Sequence, residues 1–114
     1  MRCMIKYPGD IRPKEVNIDN SLEALQKAVG GYIEHFGFSA GVGLLFDEDG
    51  RYKGPVVNGK PTSLESNFAL NDMCVDFVGP VLFVGESGDE FIDLTEEQIL
   101  EINQFFELQD DRNA

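Results

Sequence analysis

His35 is the one histidine in the chain, so any histidine-dependent chemistry rests on it. As a general base it would need a hydroxyl, thiol or water within hydrogen-bond reach and a partner to orient its ring. Its surroundings suggest a plainer role. Tyr32–Phe38 alternates strictly, which places His35 on one strand face with Ile33 and Gly37. A histidine in that setting is expected to be partly buried and hydrogen-bonded rather than catalytic. No serine, cysteine or lysine falls in a recognisable nucleophile motif, and no phosphate-cradling or dinucleotide-binding glycine loop is present. Asp47, Asp49 and Arg51 begin like a calcium loop, but a cation stands where the third ligand belongs. Cys3 and Cys74 lack the spacing of a zinc or redox pair, and their apolar neighbours mark them as structural thiols. No cofactor and no metal is expected, and an enzyme is the third of three readings.

Two segments carry charge in patterns that suit binding. Asp93, Glu97 and Glu101 recur at i, i+4 and i+8, which on a helix makes one outward acidic stripe, with Asp89 and Glu90 just before it. Such like-charge pairs oppose the helix by a few tenths of a kcal/mol each, a cost that a basic partner would offset through electrostatic steering. One charge per roughly 5 Å of helix falls far short of the ~1.7 Å spacing of B-DNA, so DNA mimicry would need further acidic elements. The second segment is 51–60, where Arg51, Lys53 and Lys60 accompany Asn58 and two glycines. Those residues suit capture of a phosphorylated small molecule such as a nucleotide, although Asp47–Asp49 could simply pair with the cations.

The charge distribution agrees with this division. The net charge of −12 arises entirely after residue 60: residues 1–60 hold eight acids and eight bases, and residues 61–114 hold thirteen acids and only Arg112. Direct nucleic-acid binding by the later half is therefore not expected, since phosphate contacts need lysine and arginine. With 42% hydrophobic residues and nine phenylalanines, the 114 residues have enough apolar content for one folded domain, 1–114. The longest uncharged stretch, His35–Phe46, is too short to span a bilayer and contains three glycines. With no signal-like N-terminus, a cytoplasmic protein is expected.

The elements that must position these residues are legible in outline. Met1–Tyr7 and Glu15–Ile18 read as two strands of a hairpin across the Pro8–Pro13 turn region. A helix over about 20–30 begins at Asn20, with Glu23 reaching back. Leu22, Leu25 and Val29 form its apolar face, and Gly30-Gly31 ends it. Val42–Phe46 reads as a strand running into an Asp49-Gly50 hairpin turn, with Arg51–Val57 returning. Ser63–Asn71 is predicted as a short helix and Val81–Val84 as a buried strand, with an edge or bulge at Pro80. Thr95-Glu96-Glu97-Gln98 is a capping box opening a helix over about 95–108, with Ile99, Ile102, Phe105 and Phe106 as its stripe and a fraying tail. The predicted fold is α+β: one domain, mainly antiparallel sheet, packed against two amphipathic helices.

The block Ser21–Glu34, a Leu-Glu-Ala-Leu helix closing on two glycines before an Ile-Glu strand, resembles the signature of domain-of-unknown-function family 3846. The Asp47–Gly50 turn leading to Pro55 and Asn58, the Gly79–Gly85 strand and the Leu94-Thr95-Glu96-Glu97 helix start are similar in order and spacing. The resemblance implies a cytoplasmic protein of bacteria, phages or mobile elements and carries no catalytic residues. The leading expectation is a non-catalytic acidic interaction protein, a phage or mobile-element antagonist of a basic host defence protein. It would act through Asp89, Glu90, Asp93, Glu97 and Glu101. The alternative is a small-ligand binder using Arg51, Lys53, Asn58 and Lys60. No membrane partner is expected. The aromatic positions Phe36, Phe38 and Phe46 suit either dimerisation or internal burial.

Overall fold

The computed structural model describes residues 1–50, 56–57, 60–61, 66–70 and 75–113. In chain order these form β1 (Arg2–Lys6), β2 (Lys14–Asn17), α1 (Leu22–Val29), β3 (Ile33–Ser39) and β4 (Val42–Asp47). Then come β5 (Val56–Val57), β6 (Lys60–Pro61), β7 (Ser66–Leu70), β8 (Val75–Val78), β9 (Val81–Ser87), β10 (Glu90–Ile92) and α2 (Glu96–Asn113). The main sheet has six strands in the order β2-β1-β9-β4-β3, with β10 also paired to β9, and every pairing is antiparallel. β5–β6 and β7–β8 are separate two-stranded sheets.

The predicted α+β architecture is therefore the observed one, and the reason lies in how the sheet faces are used. Residues opposite one another across a ladder share a face. Met4, Phe83, Leu44 and Phe36 line one face, and Ile5, Leu82, Leu45 and His35 the other. β9 runs through the middle with Val81, Leu82, Phe83 and Val84 fully buried, so it must be covered on both sides. Over the first face lie α2 and β7–β8. Phe105 meets Phe38 edge-on at 5.2 Å, and Phe106 meets Phe83 at 5.8 Å. Phe77 packs against Phe46 at 5.0 Å and Phe68 at 4.9 Å. α1 covers the second face with the buried Leu25 and Val29. The aromatic positions Phe36, Phe38 and Phe46 are thus used internally.

Local signals near the helix ends hold with one shift. The α1 cap is Ser21, whose hydroxyl accepts a hydrogen bond from the Ala24 N–H at 3.2 Å. The expected cap, Asn20, instead donates its amide to the Phe91 carbonyl at 2.9 Å. Leu25 and Val29 are buried, whereas Leu22 in the first turn is exposed and is not part of the core stripe. Gly30 ends α1 in the left-handed conformation (φ 89°). The Thr95 capping box forms reciprocally: Gln98 N–H donates to the Thr95 hydroxyl at 3.2 Å, and Thr95 N–H to the Gln98 side-chain oxygen at 2.9 Å. α2 then continues to Asn113, past the expected end.

Three expectations about the middle of the chain are corrected. Of the predicted return strand Arg51–Val57, residues 51–55 lie outside the described residues, and Val56–Val57 does not pair with β4, whose edges are taken by β3 and β9. Val56–Val57 pairs with Lys60–Pro61 instead. Residues 66–70 of the predicted short helix form a strand paired with β8; their alternation sends Phe68 into the aromatic cluster, which decides the conformation. Pro80 stands between β8 and β9, which belong to different sheets, so it occupies a corner rather than an edge or bulge.

β10 was not foreseen. It closes a hairpin on β9 through Gly88 (φ 61°), and the chain then crosses over Gly85 on its way to α2. A Cβ at Gly85 would lie 2.6 Å from the Asp93 carbonyl oxygen and 2.8 Å from that of Ile92. Both are backbone atoms, which cannot rotate away. Gly85→Ala is expected to lower stability by about 1–3 kcal/mol, the usual range for overpacking, as read by thermal denaturation. An unchanged melting temperature would refute the close approach.

Candidate functional site

The acidic residues named from sequence are all exposed, but they do not form one stripe. Asp89 and Glu90 sit in the turn and first position of the β9–β10 hairpin, and Asp93 precedes α2 rather than lying on it. The Asp93 carboxylate is engaged, accepting the Arg2 backbone N–H at 2.9 Å. That leaves Glu97 and Glu101 as the pair on the helix proper.

Arginines of the N-terminal hairpin decide which carboxylates of α2 stay open. Arg2 bridges Glu15 on β2 and Glu96 on α2, the latter at 2.8 Å. Bonding to Glu15, with Glu96 second, raises the pKa of the Arg2 guanidinium, and Arg2 in turn holds the Glu15 carboxyl below its ordinary range. Arg12 reaches Glu107 at 3.2 Å. At 3.6 residues per turn, Glu96 and Glu107 fall on nearly the same line along the helix, the line facing the β1–β2 hairpin. Glu97 and Glu101 lie about 100–140° around from Glu96 and have no cation partner among the described residues. Leu100 lies between the two lines and Leu108 on the Glu97–Glu101 side, 59% and 60% exposed. The open face of α2 therefore combines two uncompensated carboxylates with two exposed leucines within an arc of about 100°.

The alternative ligand segment falls mostly outside the described residues. Arg51, Lys53 and Asn58 lie outside the described residues, and Lys60 is placed only as a β6 residue opposite Val57. Asp47, proposed as their ion-pair partner, is buried and accepts the Asp49 N–H at 3.0 Å within its own turn.

Two polar constellations escaped the sequence reading. His35 is hydrogen-bonded as expected but exposed rather than partly buried, and its partner is Glu86 on β9, reached across β4. The contact exists because Gly43 stands between them: a Cβ there would collide with the Glu86 carboxylate and fall 2.8 Å from His35 Nε2. The second constellation is Lys6, which is only 4% exposed. Its ammonium donates to the Asn67 side-chain oxygen at 2.7 Å and lies 5.9 Å and 5.6 Å from the ring centroids of Phe68 and Phe106. Burial lowers the Lys6 pKa, and Asp10 acts weakly in the opposite sense. Neither constellation leaves a trace in sequence, since its members are 51 and 61 positions apart. Cys3 is a free buried thiol whose pKa burial raises; Cys74 lies outside the described residues.

Among the described residues no group of three or more potential ligands is placed to hold a metal ion, and no helix is long and apolar enough to cross a membrane. The family described as Domain of unknown function (DUF3846) matches residues 1–108. No curated protein and no solved structure matches significantly.

Proposed function

The chain belongs to the DUF3846 family, whose description names no activity, and on that footing we propose that it is a binding protein whose α2 face docks a basic partner. The observation that carries this reading is the open arc of α2. Glu97 and Glu101 lack cations among the described residues, while Glu96 and Glu107 are neutralised by arginines of the same chain. Leu100 and Leu108 supply apolar area beside the carboxylates, and an interface needs such anchors, because rim charges steer more than they hold. The fitting partner is a surface or helix with lysine or arginine around an apolar centre. In its narrower form the partner is a host defence protein antagonised by a phage-borne or mobile-element-borne copy.

The test is affinity chromatography on the 114-residue chain, with the same chain carrying Glu97→Lys and Glu101→Lys as comparison. Exposed ion pairs contribute about 0.2–1 kcal/mol each, and reversal replaces attraction by repulsion, so roughly a tenfold loss of affinity is expected. Recovery should also fall as salt rises. Partners bound equally by both columns at every ionic strength would refute the reading.

A further inference from the structure

We propose that β3 pairs with a second copy of this chain, joining two sheets edge to edge about a two-fold axis at His35. The two outer edges of the main sheet differ sharply. β2 is four residues long, follows Pro13 and begins with Lys14, the devices by which an edge is kept from pairing. β3 is seven residues long and contains neither lysine nor proline. No strand among the described residues pairs with its outer side.

The register shows which backbone groups that edge offers. Glu48 N–H donates to the Tyr32 carbonyl at 3.0 Å, which sets the phase of the β3–β4 ladder. In an antiparallel pair, bonded and non-bonded positions alternate. Glu34 and Phe36 therefore bond to β4, and Ile33, His35 and Gly37 direct their N–H and C=O groups outward. The register shift after Gly37 ends the regular run, so the available segment is Ile33–Gly37.

That segment is self-complementary when His35 faces His35 of the second copy. Ile33 then stands opposite Gly37, a branched side chain against a position with none, and Glu34 stands opposite Phe36, so no carboxylate faces a carboxylate. On the α1 side the two His35–Glu86 pairs come together as alternating donors and acceptors. Tyr32, 67% exposed at the start of the strand, gains a neighbour beyond the partner's Gly37. β10 and Asp93 lie on the far side of β9 from β4 and β3, away from the join.

The net charge of −12 opposes association of two copies, so salt should strengthen this contact. That separates it from docking of a basic partner on α2, which salt weakens, and the two readings can fail independently. Sedimentation equilibrium of the full chain from micromolar to several hundred micromolar, at low and high salt, is the test. The expected result is a monomer–dimer equilibrium that shifts toward dimer as salt rises. His35→Pro, which removes an outward N–H without touching the β4 ladder, should abolish the dimer. His35→Lys supplies a donor for Glu86 but opposes two lysines across the axis, and it should abolish the dimer while retaining wild-type circular dichroism. A wild-type chain that stays monomeric throughout, including one whose edge takes up some other extended peptide, overturns the proposal. So does dimerisation of folded His35→Lys at wild-type strength.

Discussion

Phe83→Ala is expected to lower the free energy of unfolding by about 4 kcal/mol, the middle of the range for deleting a buried phenylalanine side chain. Phe83 is fully buried on β9, with ring centroids of Phe38 at 5.6 Å, Phe68 at 6.0 Å and Phe106 at 5.8 Å. Those three rings belong to β3, β7 and α2, so one side chain ties the main sheet to both elements that cover it. Alanine loses the transfer free energy of the ring and leaves a cavity that rings held by separate elements can only partly close. Set against a total of about 5–15 kcal/mol for a domain, the loss is a large fraction of the whole. Urea unfolding would measure it, with Leu100→Ala as the exposed comparison, expected within about 0.5 kcal/mol of wild type. A loss below about 1.5 kcal/mol at position 83 would contradict the packing described for this face.

The second large effect concerns Lys6 and Asn67. Asn67 accepts from the Lys6 ammonium at 2.7 Å, and its amide donates to the carbonyls of Lys6 at 2.7 Å and Gly79 at 2.8 Å. Asn67→Leu removes all three bonds and leaves the buried cation only the aromatic rings and a long contact to the residue-67 backbone carbonyl at 3.5 Å. Uncompensated buried charge costs about 3–5 kcal/mol. Lys6→Met in that background should recover most of the loss, because the stranded charge is gone; a double variant as unstable as Asn67→Leu alone would show that the charge is not the cause.

The pH dependence has a definite sign. Burial lowers the Lys6 pKa in the folded chain, so between that value and the ordinary lysine range the unfolded chain binds more protons. Stability contributed by this group therefore rises with pH through that window, and below it the full cost of the buried cation persists. Lys6→Met should remove that rise from the stability profile.

What could be read from the sequence was local. The Thr95–Gln98 box, the Gly30 stop, the Leu25–Val29 face and the β1–β2 hairpin each depend on residues a few positions apart, where backbone geometry dictates which groups meet. Asn20 and Ser21 offer the same capping chemistry, and a distant contact separates them: the Asn20 amide is taken by the Phe91 carbonyl, 71 residues away, and Ser21 caps. The strand at 66–70 was missed because its signal is the burial of Phe68 under distant rings, and tertiary packing overrides weak local preference.

The acidic site shows the same boundary. By itself, the sequence determined that the negative charge lies after residue 60 and that a capped amphipathic helix carries part of it, since both follow from composition and short-range spacing. Only the tertiary structure decided which carboxylates remain open. Arg2 neutralises Glu96 and Arg12 neutralises Glu107 across 94 and 95 residues of chain, and Asp93 is drawn to a backbone N–H of β1. Strand order decided the free edge in the same way: β9 takes the centre, and β3 is left outermost. Charge sums and helical periods are properties of neighbouring residues, whereas ion pairing and strand adjacency depend on where distant segments meet.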